Sequence, residues 1–432
     1  MSMNPGAVPN LAAAVDEAAH WDRLMTMARI GAIADGQGVN RACLTEGDHE
    51  ARRLLIDWAG ELGLSVSVDP IGNLFLRHEG TDPAAAPVLT GSHMDSQPNG
   101  GRFDGIWGVL AALDAVRAIR AAGTATRRPI EIAVWTNEEG GRFAPGCMGS
   151  MAWTRHSPAD TWDGVRDADG VSFAEALAAH RAAEADLPQR PFCEVKPAAY
   201  VEAHIEQGPR LEAENTAIGV VTGIQGSRWF TVEIRGESAH AGTAPLRGRK
   251  DAVQDMVRAI AALNALMSDP ADVLRFTVGR IEVSPNSSNT VADRARFSVD
   301  FRHPDKDVLL INGDAVENTV ATALENCTAT VTETFHALPA LFDEQVTGAI
   351  ADAATALGVS SLRMPSGAFH DAQFLVALCP TGMIFVPSRG GISHNPAEYT
   401  APAALAAGTR VLAVTLAKMA NDDHGLTPNP AV

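Results

Sequence analysis

Five residues of the types that hold divalent cations stand at strand ends or in glycine-rich loops: His93, Asp104, Glu139, His204 and His394. Two cations in one site call for neutral imidazoles and carboxylates, one carboxylate being shared, with further groups orienting the rings. His93-Met94-Asp95 offers a ring and, two residues on, a carboxylate able to meet its second nitrogen. Asp104 lies between Gly100-Gly101 and Gly105, whose backbone freedom lets its carboxylate come between two ions. It also precedes a predicted helix N-terminus, where a carboxylate is favoured. Glu138 and Glu139 are adjacent, so one can bind metal while the other serves as general base to water. Taken singly, a His or Asp at a strand end is more often a capped turn or a satisfied core group, and a Glu-Glu pair is usually solvated surface. Several in matching settings are harder to reduce to that.

The elements that must position them follow from periodicity. Val15 to Ile30 and Asp48 to Leu62 carry apolar residues at helical spacing. Leu64 to Val68, Asn73 to Arg77 and Val88 to Thr90 read as strands, the last feeding His93. Ile106 to Ile119 reads as a helix ended by Gly123, and Ile130 to Trp135 as a buried strand leading into Glu138. Asp160 to Ala183 reads as a helix with surface loops, and Ala199 to His204 as another strand reaching a site residue. Strand, loop with chemistry, helix, strand is an α/β layout, in which sites gather beyond the carboxyl ends of strands. From about Val221 the order becomes β-α-β-β-α-β: Trp229 to Arg235, Asp251 to Met267, Leu274 to Val283, Ala295 to Arg302, Val308 to Glu325 and Thr328 to Phe335. That is a ferredoxin-like arrangement. A helix from Val346 to Leu357, a strand from Met383 to Val386 and a helix from Ala403 to Met419, opened by Pro402, return to α/β character. The expectation is a mixed-sheet α/β catalytic domain, residues 1–220 plus 337–432, with an inserted α+β lid and dimerisation domain, 221–336.

Composition narrows the partners. The 432 residues carry 34 Lys and Arg against 52 Asp and Glu, a net charge of −18. An acidic chain without interleaved aromatic and basic residues argues against nucleic acid and anionic membranes. No charge-free run of about 18 apolar residues occurs, so no transmembrane helix is expected. Met1 to Asn10 lacks the basic start and apolar run of a signal peptide, and the segment around Pro428 reads as a frayed tail. Five scattered cysteines, an odd number with no Cys-x-x-Cys, suit a reducing cytoplasm better than a disulfide framework.

At the motif level the chain resembles the hydantoinase/carbamoylase branch of the dizinc aminoacylase, carboxypeptidase-G and peptidase-T type hydrolases. That branch includes N-carbamoyl-L-amino-acid hydrolases, allantoate amidohydrolases and metal-dependent β-ureidopropionases. The matching runs are GSHMDSQPNGGRFDG from Gly91 to Gly105, TNEEGGRF from Thr136 to Phe143, HIEQG from His204, GESAHAGT from Gly236 and SHN from Ser393. They occur in order from about residue 90 to 395 and span most of the chain.

The resemblance implies a role for each matched position. Asp104 would bridge two divalent ions, with His93 and His204 completing one shell and Glu139 and His394 the other. Zinc is the favoured metal, with manganese, cobalt or nickel as alternatives. Glu138 would be the general base and Asp95 would orient His93. His240, from the inserted domain, would stabilise the oxyanion. Gln207, Arg228, Asn289 and Arg302 match substrate-holding positions, and an Arg fork at residue 302 suits a substrate carboxylate. Without the resemblance Arg302 reads sooner as a surface ion pair, the commoner fate of an Arg at a strand end, and Asn289 as a turn residue. The branch usually carries a Gly-Ala-Gly-His-Asp-Ala run, and here it reads GAFHDA from Gly367, with Phe369 in place of a glycine and His370 kept. A ring there would reshape a pocket, or else point into the core.

The function so implied is metal-dependent hydrolysis of the carbamoyl group of an N-carbamoyl α- or β-amino acid. Alternatives are allantoate, another N-acyl amino acid or a dipeptide, or a catalytically silent metal-binding homologue. The SQP version of the first motif, Ser96 to Pro98, leans toward carbamoyl-β-amino acids. A homodimer through the inserted domain is also implied. Val253, Met256, Val257 and Ile260 form a candidate helix face for it, and packing on the domain's own sheet is the other reading of that face.

Overall fold

The computed structural model describes residues 7–34 and 37–422. The tail expected around Pro428 and most of the Met1–Asn10 segment lie outside them. The chain divides into two compact units, Met1–Thr222 with Leu341–Val432, and Gly223–Ala340.

The first unit begins with strands β1 (Ser65–Val68), β2 (Leu74–His78), β3 (Val88–His93), β4 (Ile130–Trp135), β5 (Ala199–Ile205) and β6 (Ile218–Ile224). The second carries β7 (Gly226–Arg235), β8 (Ala239–His240), β9 (Arg275–Thr277), β10 (Ile281–Ser284), β11 (Thr290–Val291), β12 (Arg294–His303) and β13 (Thr328–Ala337). The chain then returns with β14 (Ala340–Leu341), β15 (Ser361–Ser366) and β16 (Thr381–Val386).

The large sheet runs β1-β2-β4-β3-β5-β16-β6-β14, with β15 beside β6. Its centre, β4-β3-β5-β16, is parallel, and β2 and β6 flank that centre antiparallel. Every residue of these four central strands is buried. Such unbroken burial is what a parallel sheet covered on both faces demands. One face is covered by the helices Ile106–Ala121 and Pro402–Ala420. Leu110, Leu113, Val116 and Ile119 of the first are fully buried, and each such side chain contributes roughly 1.5–3 kcal/mol. The helix Pro402–Ala420 is long and apolar enough to cross a membrane, but 72% of that stretch is buried inside the fold. It is a core helix, and Val411, Leu412 and Leu416 share the cluster of Val109 and Leu113. Phe143, Met148, Met151, Trp162 and Phe173 form a separate buried cluster, and Trp153 packs its ring against Phe75 of β2 and Trp135 of β4.

The second unit is ferredoxin-like, with sheet order β10-β12-β7-β13. The helices Ala252–Leu266 and Lys306–Ala323 supply Met256, Leu263, Leu309 and Val316 to its core. The strand expected over Leu274 to Val283 forms as two pieces, β9 and β10, both paired with β12. On the helix Ala252–Leu266, Met256 is buried and Val253 and Ile260 pack against the unit's own core, while Val257 is 56% exposed.

Candidate metal centre

The four central parallel strands run the same way, so their carboxyl ends lie together. His93 ends β3, Glu138 and Glu139 follow β4, His204 is the penultimate residue of β5, and the loop after β16 carries His394. Asp104 comes from the loop between β3 and the helix Ile106–Ala121, whose N-cap, Gly105, has φ 64°. A Cβ on Gly105 would overlap the His93 ring, so a side chain there would both strain the backbone and evict a donor.

These residues form two donor sets that share Asp104: His93, Asp104 and His204, and Asp104, Glu139 and His394. Within each set the donor atoms all lie within 4.8 Å of one another. His204 Nε2 is 3.1 Å and His93 Nε2 3.7 Å from Asp104 Oδ1. His394 Nε2 is 3.5 Å from Asp104 Oδ2 and 3.3 Å from Glu139 Oε2. His93 Nδ1 and His204 Nδ1 each lie 2.9 Å from a backbone carbonyl, of Asp95 and Ile205. A proton on Nδ1 leaves the Nε2 lone pair for a cation. Consistent with that, the Gly105 amide donates to His204 Nε2 at 3.2 Å.

Electrostatics favour cations here. Burial, then Asp371, Glu139, Asp95 and Asp104, push the Glu138 carboxyl well above the usual range. Burial, then Asp104 and Asp95, do the same to Glu139. Burial opposes the Asp104 charge too, but His204, His93 and His394 outweigh it and hold that carboxyl low. Burial brings His93 down to about 4. Burial opposes a charge on His204, but Asp104 outweighs it and raises that ring; Glu138 and Glu139 still lie buried among acidic neighbours, which leaves the donor set short of positive charge. Two divalent ions fit it by number, type and spacing of ligands.

The surrounding groups hold this set in place. The Asp95 carboxylate accepts from the amides of Glu138 at 3.3 Å and Glu139 at 3.2 Å. It therefore fixes the Glu138-Glu139 turn, and its carbonyl, closer to His93 than its carboxylate at 3.6 Å, orients the ring. Glu138 Oε2 is 3.3 Å from His93 Nε2, beside the donor set. Gln207 Nε2 donates to Asp104 Oδ2 at 2.8 Å and to Ser393 Oγ at 3.2 Å. Its Oε1 is buried without a partner. Asn137, Gln207 and His394 all have left-handed φ, at 55°, 55° and 52°, a concentration of strain common in functional loops. His370 is buried against His204, with ring centroids 4.4 Å apart, and shares a 3.0 Å hydrogen bond with Ser366. Phe369 beside it is half-buried.

Several contributors carried little sequence signal, Gln97 only as part of the SQP run. Gln97 holds Glu139 through its amide at 3.1 Å and its side chain at 3.0 Å. Glu202, fully buried, accepts from Ser92 and Tyr200 one strand away from His93. Cys147 Sγ is 3.6 Å from Glu138 Oε1. Glu398 accepts from the amides of Phe103 and Asp104, and burial and the Asp104 charge push its carboxyl up to about 8. Its one cue was closeness in sequence to His394.

The remaining expected residues belong to the second unit. There β8 pairs with β11, setting His240 opposite Thr290, and the Ala241 amide donates to the Asn289 carbonyl at 3.0 Å. His240 and Asn289 are thus neighbours, both exposed. Arg228 and Arg302 lie on adjacent strands but on opposite faces, since Arg228 pairs with Phe301 and Arg302 with Ser227. Arg302 makes a two-pronged contact with Asp300 at 3.1 and 2.9 Å. Arg228 turns to the helix face, where Glu333, Asp314 and the Leu310 carbonyl accept its hydrogen bonds.

Several known proteins are similar to this chain over most of its length. An N-carbamoyl-L-amino-acid amidohydrolase of Rhizobium meliloti is 39% identical, over 91% of this chain and 94% of its own. An allantoate amidohydrolase of Bacillus subtilis is 35% identical, over 92% and 97%. The crystal structure of a hydantoinase/carbamoylase family amidase from Burkholderia multivorans superposes with TM-score 0.87 at 41% identity, covering 94% of this chain and 98% of that one. The model of the Peptidase family M20/M25/M40 matches residues 89–418, from the strand that ends in His93 to the core helix beyond His394. With that match over most of its length, the chain belongs to the Peptidase family M20/M25/M40.

Proposed function

We propose that this protein is a metal-dependent amidohydrolase that cleaves the carbamoyl group of N-carbamoyl amino acids, releasing the amino acid, ammonia and carbon dioxide. The observation that carries the proposal is the pair of donor sets sharing Asp104, with Glu138 beside them. His93 and His204 would hold one ion with Asp104, and Glu139 and His394 the other. Bound there, the ions supply Lewis-acid polarisation and lower the pKa of water.

The chain's own residues do the rest. Glu138, whose Oε2 lies 3.3 Å from His93 Nε2 beside the donor set, would take a proton from water and return it to the leaving nitrogen. Asp95 fixes the turn that aims it. His240 would donate to the oxyanion, and Asn289, Arg302 and Gln207 would bind the substrate, Arg302 taking its carboxylate. For Arg228 to join them it would have to exchange Glu333 and Asp314 for substrate. Phe369 and His370 would shape the pocket wall.

Zinc is the favoured occupant, with manganese, cobalt or nickel as alternatives. A homodimer through the second unit is supported by exposed Leu246, Ile311 and Val257. Five unpaired cysteines support a cytoplasmic setting.

The test is turnover of N-carbamoyl-α-amino acids, N-carbamoyl-β-alanine, allantoate and dipeptides by metal-loaded and chelator-stripped protein. Chelator-sensitive cleavage of a carbamoyl amino acid is expected. Full activity after metal removal overturns the mechanism, and cleavage of allantoate or dipeptides alone overturns the substrate. Light scattering decides the dimer, and elemental analysis the metal.

A further inference from the structure

We infer that Glu398, through Ser393, is a positioning residue that sets the ion site completed by Glu139 and His394; this rests on the two-ion reading above. The three imidazoles of the centre are not held alike. His93 and His204 are each 1% exposed, on strands, with Nδ1 fixed by a carbonyl. His394 is 50% exposed, in a loop, with left-handed φ. Packing cannot place such a ring, so its loop must.

That loop is closed by Glu398. The Glu398 amide donates to the Asn395 carbonyl at 3.0 Å, and the Ala397 amide to Asn395 Oδ1 at 2.8 Å, which folds the segment back on itself. Glu398 Oε2 then meets Ser393 Oγ at 3.0 Å, on the residue just before His394. Its other oxygen, Oε1, accepts the amides of Phe103 at 3.0 Å and Asp104 at 3.1 Å. Ser393 Oγ in turn lies 2.9 Å from Asp104 Oδ2, the oxygen nearer His394. One carboxylate, 3% exposed, thus ties the backbone of the bridging aspartate to the loop of the one exposed imidazole. The contact depends on Gly101, where an added Cβ would overlap the Glu398 carboxyl group. Groups that orient ligands in this way change metal affinity by about 10- to 100-fold when removed.

The experiment counts ions per chain in wild type, Glu398→Ala and Ser393→Ala dialysed against a series of buffered zinc concentrations. Melting of each metal-free protein is followed alongside. Wild type is expected to take two ions. The Ala variants should take the first as wild type does and the second about 10- to 100-fold more weakly. Their kcat should fall at limiting zinc and recover in excess zinc, with KM unchanged, a recovery that a merely structural defect would not give. Two ions bound at wild-type affinity in both variants overturn the clamp alone. Loss of both ions together, with a lowered melting temperature of the metal-free Ser393→Ala protein, overturns it as well. A wild-type chain that takes fewer than two ions overturns the two-ion reading, and the clamp with it.

Discussion

Two places in the first unit set a pair of imidazoles around a buried carboxylate, and they are built for different ends. At the strand ends, His93 and His204 face Asp104. Between the helices Glu46–Glu61 and Phe173–Ala183, His49 and His180 face Glu184 at 3.9 and 3.4 Å. By residue type both could hold a metal ion. In the second, Arg52 grips both oxygens of Glu184, at 2.7 and 2.8 Å, with both side chains nearly fully buried. Burial opposes the Glu184 charge, yet Arg52 and His180 outweigh it and hold the carboxyl well below the usual range. The chain brings its own cation there and leaves that place open at Asp104. Ligand types alone therefore do not make a metal site; the missing positive charge does.

The largest expected effect comes from breaking the open cluster. Asp104→Ala should bind fewer than one ion by elemental analysis and lose at least about 10⁴-fold in turnover. Glu138→Gln should keep two ions and lose about 10²- to 10⁴-fold in kcat, and a variant that turns over normally would remove Glu138 as the base. At the other cluster, Arg52→Met should cost about 3–5 kcal/mol in urea denaturation, because buried Glu184 loses its guanidinium partner. Added zinc should recover part of that loss, raising the ion count by one. No gain in ions would mean that geometry, rather than charge, separates the clusters.

Acid sharpens the same contrast. A carboxyl held low in the fold contributes stability above its unfolded pKa of about 4.3, and that contribution is lost as pH falls toward the lower folded value. Wild type should therefore lose more of its urea midpoint than Arg52→Met on acidification from about pH 6 to 3. The smallest effect is His180→Gln, about 1 kcal/mol or less, with the ion count unchanged.

The sequence was most legible where chemistry and local structure coincide. His93, Asp104, Glu139 and His204 sit in short runs beside glycines or strand ends, so type and setting pointed the same way. The helices Ile106–Ala121 and Pro402–Ala420 carried long apolar periodicity and appear with nearly the expected bounds. Contacts between distant segments had no such trace. Glu398 reaches the amide of Asp104 across 294 residues, and nothing around Asp104 predicts a carboxylate from there. The face chosen by Arg228 depends on strand register, set by the pairing of β7 with β12 and β13. The β8–β11 ribbon, two residues in each strand, is too short for alternation to register. His180 had no motif, and its meaning came only from Glu184 and Arg52.

The place of β16 has a consequence for how the protein is made. This strand, Thr381–Val386, lies inside the large sheet between β5 and β6, although more than a hundred residues separate it from either in sequence. A nascent chain that has emerged through residue 340 can close the contiguous unit Gly223–Ala340. Its larger sheet must wait, with β5, buried throughout in the finished fold, presenting one open hydrophobic edge. The unit that starts first on the ribosome thus finishes last. During that interval the open edge and exposed apolar surface of its partly formed sheet are of the kind that aggregates.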